Sequence, residues 1–315
     1  MQLALTVFLF LLGLVLIVKG GDWFVDSASW IAEATGIPKF IVGATIVSLA
    51  TTLPEIIVSV IASTQGKVDM AIGNAVGSVT ANTGLILGIS LVCIPAVVNR
   101  RHFSFKALLL LLTTLGLWLL CRSGQLNAAA GSILFVLFAV YIWDNIRNAR
   151  EELAATAGTR EPMDKRELPR RLLLFVLGAA GIVIGARLLV DNGSELARLM
   201  GASEALISLT FVAIGTSLPE LVTTVTAIVK KQASLSVGNI VGANLIDMAL
   251  ILPICAWVSG GALTVSQQSY TLDIPVCLLV SLIALVPALI KGRFYRWQGF
   301  VLLGAYLTYL AVLIF

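Results

Sequence analysis

Apolar runs of 17 or more residues recur from one end of this chain to the other, as solid blocks with no strict alternation. A helix rises about 1.5 Å per residue, so each block can cross most or all of a bilayer core roughly 30 Å thick. A membrane β-barrel would instead show short strands alternating apolar and polar residues. Only 12% of the 315 residues are charged, against about 25% in an ordinary soluble domain. These patterns predict an all-α polytopic membrane protein.

Ten spans are expected, near residues 3–20, 37–63, 69–98, 105–121, 127–147, 170–190, 203–229, 234–258, 271–290 and 296–315. The first block lacks a basic leader and an A-x-A site, so it reads as a retained span and not a signal peptide. One long polar connector follows span five, which divides the chain into a five-helix half (1–150), a connector (151–170) and a second half (171–315). The net charge of +4 reflects topology, because the basic residues lie in the loops. Placed in alternating loops, 17 of the 21 Lys and Arg fall on one side and 4 on the other. Positive residues favour the cytoplasm, so both termini are expected outside and the connector inside an inner (plasma) membrane. The four cysteines are single and lack metal-ligand spacing, which argues against a zinc site or a disulfide framework.

At an offset of 165 the chain repeats itself. Thr51–Glu55 (TTLPE) aligns with Thr216–Glu220 (TSLPE), and Gly73–Ser78 (GNAVGS) with Gly238–Ala243 (GNIVGA). Gly13, Gly20 and Asp26 fall on Gly178, Gly185 and Asp191. Five spans per half is an odd number, so the second half enters the membrane from the opposite side. Two inverted five-helix repeats are a secondary-transporter plan, with the substrate site at the repeat interface near the midplane.

The polar residues concentrate at those repeats. Pro54 and Pro219 each remove a backbone donor and free carbonyls near Ser48–Ala50 and Ala213–Gly215. Such backbone is tolerated at membrane depth only where protein buries it or it lines a wet cavity. Thr51, Thr52, Thr216 and Ser217 add hydroxyls, and Glu55 and Glu220 follow directly. The same letters make good helix starts, with Thr52 or Ser217 as the cap. In a single loop, capping would be the better reading. Twice, at matched places inside apolar blocks, a buried acid needs a neutralising partner. The glycines of the second motif (Gly73, Gly77, Gly238, Gly242) permit close helix approach. Ser78 and Asn82 share a helix face, and Asp247 stands in Asn82's place in the second repeat. Carboxylates, hydroxyls, amides and carbonyls are hard oxygen donors, suited to Ca²⁺ or Na⁺. Ca²⁺, Na⁺ and the bilayer are the expected partners, with no cofactor, nucleic acid or obligatory protein partner.

Elsewhere, His102 after Arg100 and Arg101 reads as a solvated cytoplasmic rim. Asp144 and Arg147 beside Trp143 read as an interfacial anchor. Asp26 and Asp191 read as interfacial caps, with a gate as the alternative. A lone rim histidine offers no nucleophile–base pair, so an intramembrane enzyme is not expected, and no phosphate-binding G-x-x-x-x-G-K-[ST] occurs.

At these motifs the chain resembles the sodium/calcium exchanger family of cation/calcium antiporters. The resemblance implies ion sites clustered between spans two, three, seven and eight. Glu55 and Glu220 would be the central Ca²⁺ ligands, shared with Na⁺. Thr51 and Thr216 would offer backbone oxygens, Thr52, Ser217 and Ser78 hydroxyls, and Asn82 and Asp247 would flank the centre. It further implies that spans one and six slide across the other eight. Ser48 stands where Ala is usual, as at Ala213, and Ala243 replaces an expected serine. The expected function is secondary antiport of Ca²⁺ against about three Na⁺. The alternatives are H⁺-coupled or K⁺-dependent exchange and, from another class, a cation channel.

Overall fold

The computed structural model describes residues 2–155, 166–201 and 215–314. Among these, eight helices are long and apolar enough to cross a membrane. They are α1 (Leu3–Thr35), α4 (Val68–Cys93), α5 (Arg100–Ser123), α6 (Ala128–Ala155), α7 (Leu168–Leu199), α9 (Ala233–Val258), α10 (Ser269–Lys291) and α11 (Arg296–Ile314). A pair bent by 47°, α2 (Lys39–Thr51) and α3 (Leu53–Thr64), makes a ninth. The shorter α8 (Leu218–Val229) is the described part of the expected seventh span; Ala213 lies outside the described residues.

Local chemistry sets the breaks. Pro54 and Pro219 sit in the first turns of α3 and α8, where a missing N–H removes no intrahelical bond. Both helices then stop at a left-handed residue, Gly66 (φ 75°) after α3 and Lys231 (φ 58°) after α8, the usual way to close a helix C-terminus. Helix bounds recur at the offset of 165: Leu53–Thr64 matches Leu218–Val229, and Val68–Ala81 matches Ala233–Ile246. A wider π-turn follows in each case, Asn82–Leu87 and Asp247–Ile251. Such π-turns are frequent at functional sites.

The bundle centres on α4 and α9, the most buried of the long helices. α2 crosses α9 at glycines. A Cβ on Gly238 would strike the Phe40 carbonyl, and one on Gly43 the Leu235 carbonyl. Gly242 likewise lets Ala44 and Ser48 approach, whereas no described residue lies within 4 Å of a Cβ placed on Gly73 or Gly77. The expected close approach therefore appears at Gly238 and Gly242.

α1 and α7 lie side by side and antiparallel. A Cβ on Gly13 would sit 3.0 Å from the Gly185 carbonyl oxygen, and one on Gly20 2.8 Å from that of Gly178. This is the small-residue packing that lets membrane helices touch backbone to backbone. It also explains why α1 runs to Thr35 and not to residue 20: Gly20 and Gly21 mark a contact surface and not a helix end. A short antiparallel ribbon, β1 (Gln125–Asn127) with β2 (Ala262–Thr264), ties the two halves of the chain, and Val97 bridges Arg293 elsewhere.

The ends of α5 and α6 revise two expectations. His102 is only 3% exposed and lies 3.3 Å from the Glu152 carboxylate, so it is packed and not a solvated rim. Asp144 is no surface anchor, because it pairs at 2.6 Å with the fully buried Lys106 ammonium. Arg147 lies over the exposed Trp143 ring at 5.6 Å and binds Glu151.

Candidate cation site

The two proline breaks meet in the interior. Glu55 in the first turn of α3 and Glu220 in the first turn of α8 are each 1% exposed, and Asp247 at the π-turn of α9 is fully buried. The three carboxylates are close enough to repel one another, Glu55 with Glu220 and Asp247, and Asp247 with Glu220. Among the described ion pairs, none includes any of the three.

Neutral oxygens surround the acids. The Thr52 hydroxyl donates to Glu220 Oε1 at 3.1 Å. Thr52 precedes α3 without making a side-chain cap bond, and Ser217 precedes α8 in the same way. The capping reading therefore fails for both: one hydroxyl turns across to the other repeat, and Ser217 Oγ has no hydrogen-bond partner. The Thr51 hydroxyl donates to the Ser48 carbonyl at 3.2 Å and to Asn239 Oδ1 at 3.3 Å. The Ser48 carbonyl also accepts the Thr52 N–H at 2.9 Å, so it is engaged and not free. Ser48 Oγ donates to the Thr45 carbonyl at 3.1 Å. Ser78 and Asn82 are buried on α4, and Thr216 is half-buried beside a cavity.

Both oxygens of Glu55, both of Asp247, Glu220 Oε2 and Asn82 Oδ1 are buried with no hydrogen-bond partner. Unsatisfied buried acceptors on this scale are rare in folded proteins. Uncompensated carboxylates at membrane depth cost several kcal/mol or more. Unpartnered carboxylate oxygens beside neutral hydroxyl and amide oxygens suit a cation. Among the described residues no three His, Cys, Asp or Glu side chains form a metal-holding group. Any cation here would be held by few carboxylates and many neutral oxygens, a donor set for Ca²⁺ or Na⁺ and not for zinc.

A sequence profile described as "Sodium/calcium exchanger protein" matches residues 5–146 and 171–315. The chain belongs to the sodium/calcium exchanger family. It is similar to the sodium/calcium exchanger MaX1 of Methanosarcina acetivorans, with 30% identity over 97% of each chain. It is 35% identical to the inner membrane protein YrbG of Escherichia coli, over 97% of this chain and 95% of that one. The fold matches a structure of the exchanger NCX_Mj soaked with Na⁺ and Sr²⁺, with a TM-score of 0.85 and 29% identity over 98% and 99% of the two chains.

Within this exchanger fold, the structure also shows polar residues that sequence reasoning passed over. Asn239 bonds Thr51, and its repeat mate Asn74 donates to Ser59 Oγ at 2.9 Å and to the Glu55 carbonyl at 3.4 Å. Asn82 Nδ2 donates to Asn244 Oδ1 at 3.1 Å, and Asn244 donates in turn to Thr83 at 2.8 Å. Asn74 and Asn239 stood within the two quoted glycine motifs at the same offset, which was the available signal. Asn244 had none, because its mate at 79 is valine.

Proposed function

We propose that this chain is an antiporter that exchanges Ca²⁺ for about three Na⁺ by alternating access, normally expelling Ca²⁺ across an inner membrane. The observation that carries it is the pair of buried, unpaired glutamates at the two helix breaks, linked through Thr52. Glu55 and Glu220 hold the divalent cation. Thr51, Thr52, Ser217, Ser78 and Asn82, with the backbone near Ala213 and Thr216, supply neutral oxygens to Ca²⁺ or Na⁺. Asp247 adds a third carboxyl. Three Na⁺ would balance three ionised acids, and one Ca²⁺ the two glutamates. The chain itself supplies no cofactor and performs no covalent step; its work is to bind, desolvate and release ions on alternate faces.

Ten spans in two inverted halves, 1–150 and 171–315 around a cytoplasmic connector, support alternating access. The helix bounds and π-turns that recur at 165 and the antiparallel contact of α1 with α7 favour that plan. Both termini lie outside in this reading. The relatives include mouse sodium/potassium/calcium exchanger 2, 28% identical over 49% of this chain. Together with Asp247, this keeps K⁺ as a second coupling ion to test.

The test is ⁴⁵Ca²⁺ uptake into proteoliposomes loaded with Na⁺ and diluted into Na⁺-free buffer, with K⁺ and pH gradients in parallel. Uptake should need internal Na⁺, respond to membrane potential because three-for-one exchange moves charge, and vanish in Glu220→Gln. Uptake driven by a pH gradient alone would overturn Na⁺ coupling.

A further inference from the structure

The repeat invites comparison of each contact at one end of the bundle with its mate at the other. At one end α1 is closed onto α8. A Cβ on Gly21 would lie 2.8 Å from Thr226 Oγ1 and 3.1 Å from Val222 Cγ1, so the two helices touch. The mates of Gly21 and Val222 at the other end are Ala186 and Ile57. These do not close on one another; both line a cavity of about 610 Å³ between α7 and α3 that reaches Pro54 and Pro219 at the helix breaks. Among the described residues, α1 and α8 are therefore in contact at one end, whereas a cavity separates α7 from α3 at the other.

An ionic contact accompanies the shut end. Lys230, just after α8, binds Asp26 at 2.9 Å and Asp22 at 3.2 Å, both on α1. Asp26 is thus a cross-helix partner and not a helix cap. Partial burial works against the Lys230 charge, but hydrogen bonds to Asp26 and Asp22 raise its pKa above the ordinary value, so it stays charged. Without it, two like charges would stand four residues apart on one helix face, which is unfavourable. Lys39, Glu33 and Gln232 form a neighbouring tether at the same end. The mate of Lys230 is the neutral Gln65, and the mates of Asp22 and Asp26 are Arg187 and Asp191. That end has no cation in the place of Lys230.

We propose that Lys230, held between Asp22 and Asp26, is a latch that closes the α1–α8 end, with the neutral Gln65 in its place at the opposite end, and that it biases the resting protein toward the outward-open state. The inference rests on the alternating access and topology proposed above, which put Lys230 on the cytoplasmic face. Two partly exposed ion pairs shift a two-state equilibrium by about three- to tenfold. That suits a gate, which must open in every cycle.

The test needs no ion gradient, so it can fail independently of the exchange reading. Val25 on α1 is fully buried, while its mate Val190 lines the open cavity. In a Cys93→Ser background, Val25→Cys reports opening of the latched end to an impermeant maleimide added to inside-out vesicles. Lys230→Gln should raise its labelling rate about three- to tenfold, and Lys230→Asp combined with Asp26→Lys should bring the rate back. An unchanged rate in Lys230→Gln, or no recovery in the charge exchange, would overturn the latch. Normal latch behaviour with no Na⁺-driven flux would instead count against the exchange reading alone.

Discussion

Replacing Gly238 by alanine tests the crossing that aligns the two repeats. The added Cβ would meet the Phe40 carbonyl oxygen head-on, the Phe40 carbonyl carbon at 3.0 Å and the Ala44 nitrogen at 3.1 Å. These are backbone atoms of α2 and cannot rotate away. Non-bonded carbons prefer roughly 3.5–4.0 Å, so α2 and α9 must separate by roughly 0.5–1 Å. One residue further along α9, Asn239 accepts the Thr51 hydroxyl at 3.3 Å. That displacement carries the bond past useful length and moves the Thr51–Glu55 segment with it. Overpacking of this kind costs about 1–3 kcal/mol of stability. Loss of one hydrogen bond near the acids, about 1 kcal/mol, lowers Ca²⁺ affinity on the order of five- to tenfold. The assay is Na⁺-driven ⁴⁵Ca²⁺ uptake against Ca²⁺ concentration, with a thermal melt of the same preparation. Gly43→Ala pushes the same helices apart from the other side, against the Leu235 carbonyl. The double variant should therefore lose much less than the sum of the two. Half-saturating Ca²⁺ within twofold of the parent in Gly238→Ala, at unchanged stability, would refute the reasoning.

Thr52→Val removes the hydroxyl on Glu220 without changing side-chain shape. Hydrogen bonds to charged groups are worth about 1.5–3 kcal/mol, so Ca²⁺ affinity should fall at least about tenfold in the same uptake assay. Ala243→Ser restores the hydroxyl that the family resemblance leads one to expect and should lower the half-saturating Na⁺ severalfold, read from the Na⁺ dependence of Ca²⁺ uptake. Lys106→Met strands Asp144, which is 15% exposed, and should destabilise toward the lower end of about 3–5 kcal/mol. Lys106→Met with Asp144→Leu should recover most of that in a thermal melt.

Much of this organisation was legible from hydropathy and the offset of 165. The apolar blocks marked the long helices, Pro54 marked the bend between α2 and α3, and Pro219 marked the start of α8. What sequence could not show was direction. Thr52 and Ser217 spell a helix cap, but whether a hydroxyl turns to its own backbone or across to Glu220 depends on a helix 168 residues away. Likewise, the expected first span ended near residue 20, because the α7 and α8 surfaces that Gly20 and Gly21 fit are remote in sequence. His102 looked wet for the same reason: its neighbour Glu152 arrives from the far end of α6. Glu55, Glu220 and Asp247 were identifiable because an acid in an apolar block is anomalous by itself, whereas an asparagine such as Asn244 is not.

Anomalous diffraction from crystals of the protein soaked in Sr²⁺, a divalent stand-in for Ca²⁺, would address the site most directly. A single strong peak coordinated by both Glu55 and Glu220, displaced by raising Na⁺ and absent in Glu55→Gln, is expected. A peak elsewhere, or one that neither Na⁺ nor the substitution disturbs, would contradict the assignment of these two glutamates as the shared Ca²⁺ and Na⁺ site.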